Sequence, residues 1–172
     1  MSKLDIISVP DSLLKTVSDP VAAVDDDLRK FMDNMLETMY SAPGIGLAAI
    51  QVAVPKRVIV VDTEGDEENP QPLFLVNPEI TWSSPEFNLY NEGCLSVPEH
   101  YAEVERPESV KVKYLDYNGK QQEQLMDGLT ATCVQHEIDH LNGVVFIDYL
   151  SRLRRNMIIK KVAKATKDTV AL

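Results

Sequence analysis

The chain has 172 residues, 44% hydrophobic and 26% charged, a composition suited to one soluble domain with a core of its own. No apolar run approaches a membrane span, and Met1-Ser2-Lys3-Leu4-Asp5 leads into no secretory leader, so membrane and exported proteins are set aside and the cytoplasm is expected. The net charge of −10 is segregated: from Ser151 onward seven basic residues face Asp168 alone, giving +6 there and −16 on the first 150 residues, so a polyanionic partner is expected for the tail only.

Leu4 to Val9 is a short apolar run stopped by Pro10, and Asp11-Ser12 can cap a brief turn through Lys15. From Asp25 to Tyr40, Leu28, Phe31, Met32, Met35, Leu36 and Met39 recur at helical spacing behind three aspartates that suit a helix N-terminus, and core packing is the expected role of the methionines. Pro43 to Val52 then combines two glycines and two alanines in a strand-like run, which implies that something approaches that backbone closely. Its Gly-x-Gly fails as a dinucleotide motif, since no strand precedes it and no helix pattern follows. Gln51 is the run's uncharged polar side chain, either exposed or aimed into a cleft.

Arg57 to Thr63 reads as a β-branched strand followed by a solvated acidic loop, Glu64 to Glu68. Leu73 to Asn77 is a strand ended by Pro78, and Ile80 to Trp82 and Phe87 to Tyr90 are short strands separated by Ser83-Ser84-Pro85. Glu92 to Pro98 reads as a loop loosened by Gly93. Val110 to Leu115, the turn signal Asn118-Gly119 and Gln121 to Met126 form a hairpin. Asp127 can cap the next helix and Gly143 can end it. Arg152 to Thr166 is a basic helix, docked by Leu153, Met157, Ile158 and Val162. The expected fold is α+β: short antiparallel strands around one central functional helix, with a helix before and a basic helix (151–167) after, in one domain over residues 1–172.

The functional helix carries His136-Glu137-Ile138-Asp139-His140, a zinc-hydrolase signature. Residues four apart advance about 400°, so both imidazoles share a face and can share a cation, while Glu137 lies about 100° away, within reach of a water. Catalytic sites of this kind usually have three protein ligands and an open position. A long metalloprotease pattern would need histidine at Phe146, and a shorter one a downstream glutamate, which this chain lacks after Glu137. Asp139, Asp148, His100 and Cys94 remain; Cys94 is the best third ligand, with Cys133, three residues before His136, as the alternative. His100 is expected at the surface. The two cysteines suggest thiolate chemistry, not a disulfide.

Gly44-Ile45-Gly46-Leu47-Ala48-Ala49-Ile50-Gln51, Glu92-Gly93-Cys94-Leu95-Ser96 and Gln135-His136-Glu137-Ile138-Asp139-His140 resemble, in order and spacing, the three motifs of the peptide deformylases, bacterial type-1 class. The resemblance implies removal of the N-formyl group from the initiator methionine of nascent chains. It implies one metal held by Cys94, His136 and His140, natively Fe(2+), replaceable by zinc, nickel or cobalt. It makes Glu137 the proton shuttle and Gln51, with the Leu95 backbone N–H, the oxyanion donors. Ile45, Tyr90, Leu129, Thr132 and Cys133 would lie near the methionine pocket, and Gly44, Gly46, Glu92 and Gly93 along the bound peptide. Tyr90 and Thr132 stand where many members carry aliphatic residues and Tyr101 where some carry arginine, which bears on pocket shape and peptide preference. The type-1 C-terminal helix implies docking on the ribosome, with no DNA or membrane partner. A broad zinc protease and a non-catalytic RNA-binding module are the competing classes; the first lacks its usual third ligand, and the second has no need of the HExxH set.

Overall fold

A computed structural model describes residues 2–171, with side chains through residue 166, so Lys167, assigned above to the basic helix, has no described side chain. The fold is α+β, with α1 (Asp26–Ser41), α2 (Gly128–Leu141) and α3 (Arg152–Ala171). The strands are β1 (Gly46–Ala48), β2 (Val58–Val61), β3 (Leu73–Ser83), β4 (Phe87–Cys94), β5 (Val97–Pro107), β6 (Ser109–Leu115) and β7 (Gln121–Asp127). Five strands form one antiparallel sheet in the order β1-β2-β3-β6-β7; β4 and β5 form a separate hairpin.

Strand alternation sorts the core. In β2, Ile59 and Val61 face α2 residues such as Val134, Ile138 and Leu141, while Val58 and Val60 face Leu28, Met32, Met35 and Met39 of α1. The sheet thus lies between the two helices, and the methionines are core. Asp25 caps α1 by accepting from Leu28 N–H at 2.8 Å. A third cluster joins Val97, Ala102 and Val104 of β5 to Phe146, Ile147, Ile158 and Val162. Helix α2 packs on the sheet and also touches β5, and ten of its fourteen residues are buried, including His136, Glu137 and His140.

Several expectations are corrected. Pro78 does not end β3: the ladder skips there in a register shift between Val76 and Glu79, where a residue without an N–H is tolerated. Asn77 turns to φ 52° and exchanges two hydrogen bonds with the backbone of Val21. Residues 97–107 form a long strand where none was assigned, and the loop read at 92–98 shrinks to the reversal between β4 and β5. Asp127 sits at the N-cap of α2, but its side chain caps nothing. Gly143, at φ 77°, does terminate α2, and a β-carbon there would lie 2.6 Å from the Lys15 carbonyl oxygen. In α3, Ile158 and Val162 are buried, but Leu153 is 74% exposed and Met157 49%; the helix is also held by Arg155, which donates to Asp148 at 2.7 Å. Among the described residues no helix is long and apolar enough to cross a membrane.

Candidate metal centre

The HExxH helix reaches its site through the hairpin packed over it. Cys94 ends β4, and its sulfur lies 3.3 Å from Nε2 of His140. The sulfur of Cys94 and a ring nitrogen of each of His136 and His140 lie within 4.8 Å of one another, the one such donor group among the described residues. A thiol and two imidazoles converging at this spacing suit a tetrahedral ion with one position left over. Cys133, the alternative thiol, is corrected out of the set: its Sγ faces the Ile45 carbonyl at 3.6 Å, and burial, with Glu137 nearby, pushes its pKa well up, keeping it a neutral thiol.

The donors are held from behind. Nδ1 of His136 is 2.9 Å from Oε1 of Glu92, which leaves Nε2 for the site. Glu92, expected along the peptide path, lines the cleft but commits its carboxylate to His136 and to Arg106, which grips both oxygens at 2.7 and 3.0 Å. Arg106 also donates to Asp139 at 2.8 Å. Burial works against its charge, but Glu92 and Asp139 outweigh that and hold the guanidinium fully charged. Phe146, where the longer metalloprotease pattern would have a histidine, stacks on His136 with ring centroids 6.0 Å apart. Of the other rejected candidates, Asp139 is engaged by Arg106 and Tyr149, and Asp148 by Lys15 and Arg155. His100, expected at the surface, is half-buried and lines the cleft.

Glu137 is 4% exposed, its Oε1 has no protein partner, and burial pushes its pKa up to about 7 against the opposing pull of His136. A carboxyl poised there suits proton transfer at neutral pH. The closely approaching group implied by Gly46 is α2 itself: a β-carbon at Gly46 would lie 2.5 Å from Glu137 Oε2 and 2.7 Å from Cys133 Sγ. Gly44 likewise gives way to Leu95, and Gly93 to the ring of Tyr101. These glycines serve packing inside the protein. Gln51, 1% exposed, accepts from Ala48 N–H at 2.9 Å, which fixes the amide so that its NH2 points to Ser96 Oγ at 3.0 Å and, at a longer 3.5 Å, to Cys94 Sγ.

All this opens onto a cleft of about 730 Å³, lined by Gly44, Ile45 and Gly46 and by Tyr90, Gly93 and Leu95. Leu129, Thr132 and Cys133 of α2 form part of the same lining. Strand β1 is an edge of the main sheet, so its outer backbone faces no further strand of that sheet. Neither Arg106 nor Tyr149 was singled out from the sequence. The available signal for Arg106 was parity: in β5, Glu103 and Glu105 face out and Val104 faces in, which places Arg106 inward as a charge needing partners.

A sequence model of one family, polypeptide deformylase, matches residues 3–156. A peptide deformylase of Phenylobacterium zucineum is 60% identical over 167 residues, covering 97% of this chain and 99% of that protein. Among solved structures, a peptide deformylase from Ehrlichia chaffeensis superposes with TM-score 0.94 at 42% identity, covering 98% of this chain and 99% of that one. A second structure from that organism, in complex with actinonin, gives 0.90 at 46% identity, covering 96% and 98%.

Proposed function

The chain belongs to the polypeptide deformylase family, and on that premise we propose that Cys94, His136 and His140 hold its metal and that Glu137 and Gln51 carry its proton and charge transfers. The chain is a metal-dependent hydrolase that removes the N-formyl group from formyl-methionyl nascent peptides. The observation that carries the assignment of residues is the convergence of one sulfur and two imidazole nitrogens beside a buried carboxyl of raised pKa.

When bound, the ion supplies Lewis acidity, polarising a carbonyl and lowering the pKa of a water to about 7. Glu137 accepts that water's proton; its pKa, near neutrality, suits both acceptance and later delivery to the departing amine. Gln51 stands ready to donate to the oxygen that becomes negative as the formyl carbon is attacked. Its amide is already oriented by Ala48, and the weak contact to Cys94 is the one that the substrate oxygen replaces. One preset donor of this kind contributes about 3 kcal/mol to the transition state. The Leu95 N–H is the second donor by family likeness. The peptide lies against Gly44, Ile45 and Gly46 as an added strand, with its methionine among Tyr90, Leu129, Thr132 and Cys133.

Ferrous iron is the proposed native metal, in a donor set that also accepts zinc, nickel or cobalt. Metal analysis of protein purified without oxygen tests this: iron at one per chain, with loss of activity in peroxide that the zinc form resists, is expected, and zinc throughout would refute it. Competing hydrolysis of formyl- and acetyl-methionyl peptides separates a deformylase from a broad amide hydrolase. We further place the enzyme in the cytoplasm as one catalytic unit, with α3 as its contact to the ribosome.

A further inference from the structure

Behind the metal centre a chain of contacts runs to the protein surface, and Tyr149 ends it. The Tyr149 hydroxyl donates to Asp139 Oδ2 at 2.7 Å, the same oxygen that Arg106 grips at 2.8 Å. Its ring lies over the guanidinium, 5.1 Å from carbon to centroid. Beneath it the side chains of Arg106 and Glu92 are 6% and 5% exposed, although Tyr149 itself is 53% exposed. A charged pair that dry is strong only while water is kept from it, and Arg106 is what fixes the carboxylate that orients His136.

We propose that Tyr149 is a positioning residue for His136: its ring roofs Arg106, excludes water from the Arg106–Glu92 pair and so keeps Glu92 locked on the ligand's Nδ1. The inference rests on His136 being a metal ligand. Opening the roof lets water compete for the guanidinium, Glu92 gains freedom, and the imidazole loses its fixed direction without losing any donor atom. The hydroxyl is secondary, because Asp139 is already held by Arg106.

The test is chelator-driven metal release from the zinc-loaded protein, read beside the visible spectrum of the cobalt-loaded protein, for Tyr149→Ala and Tyr149→Phe. Loss of support around a ligand weakens metal binding about 10–100-fold, so Tyr149→Ala should release zinc about tenfold faster and alter the cobalt bands. Tyr149→Phe, which keeps the ring, should stay within about twofold of wild type on the same scale. Asp148→Asn, next door but facing Lys15 and Arg155, serves as the stability control and should melt lower without faster release. Wild-type release and spectrum in Tyr149→Ala would overturn the proposal. So would equal losses in the Phe and Ala variants, or equal acceleration in Asp148→Asn. If Tyr149→Ala does not fold, Tyr149→Leu is read by the same criteria. A wild-type protein that fails to hold zinc at one per chain would instead refute the ligand assignment itself.

Discussion

Glu137 combines two properties that oppose each other. Its carboxyl sits against the site with one oxygen unpartnered, as the proposed proton transfer requires, and the same burial raises its pKa to about 7. A carboxyl whose pKa is raised by folding holds its proton longer in the folded chain than in the unfolded one. In metal-free protein this favours the fold at low pH and costs stability as pH rises from about 4.5 to about 7. Glu137→Gln should therefore keep metal binding, lose nearly all turnover, and raise the metal-free protein's stability at pH 8 by up to ~3 kcal/mol. That gain should shrink towards pH 5. Metal content, turnover and thermal melts across pH check all three, and a variant less stable than wild type at pH 8 would contradict the burial cost. The residues closest to the chemistry were legible because helical spacing alone sets His136, Glu137 and His140 relative to one another. Cys94 could be chosen only by elimination, since its approach depends on how the β4–β5 hairpin folds over α2. Tyr149 carried no signal at all, because a half-exposed tyrosine after a glycine exit looks like any surface residue until Arg106 lies beneath it.

At the scale of elements, apolar periodicity revealed α1, a β-branched run revealed β2, the HExxH spacing revealed α2, and the Asn118-Gly119 turn signal beside the alternating β6 revealed the β6–β7 hairpin. Strand β5 was missed because its outward positions are charged or exposed and its inward ones are small or carry Arg106. The joints between elements are where stability should be most sensitive. Asp148, in the turn Phe146–Tyr149 after α2, binds Lys15 from the N-terminal turn and Arg155 from α3, and accepts from Val145 N–H. Burial alone would raise its pKa, but those partners outweigh burial and hold it below the usual carboxylate range. A depressed carboxylate adds stability above its unfolded pKa and loses it as pH falls through the folded one. Asp148→Asn should cost about 1 kcal/mol near neutrality, given its partial exposure, and almost nothing at a pH low enough to protonate the wild-type residue. Denaturant melts at the two pH values test this; a pH-independent cost would assign the effect to geometry. Gly143→Ala should be costlier, about 2–3 kcal/mol, since it forces an L side chain into φ 77° against the Lys15 carbonyl.

The whole molecule is electrically two-sided, and α3 gives that asymmetry a shape. Its inner face docks through Ile158, Val162 and the Arg155–Asp148 pair, leaving Arg154, Lys160, Lys161 and Lys164 exposed beside the uncovered Leu153 and Met157. Cations around an exposed apolar pair suit a polyanionic surface better than open water, while the −16 carried by the first 150 residues repels the same surface. On the proposed ribosome contact, α3 is the part of the chain that should meet the ribosome. Changing Arg154, Lys160, Lys161 and Lys164 to glutamate tests that and spares Arg155, whose loss would undock the helix. Turnover on a short formyl-methionyl peptide should be unchanged, because none of the four lines the cleft. Ribosome co-sedimentation should weaken. If those four cations each meet a phosphate, wild-type binding should fall roughly 100-fold between 50 and 200 mM salt. Equal ribosome binding by the reversed variant and wild type at low salt would leave α3 a structural helix and the charge split without that purpose.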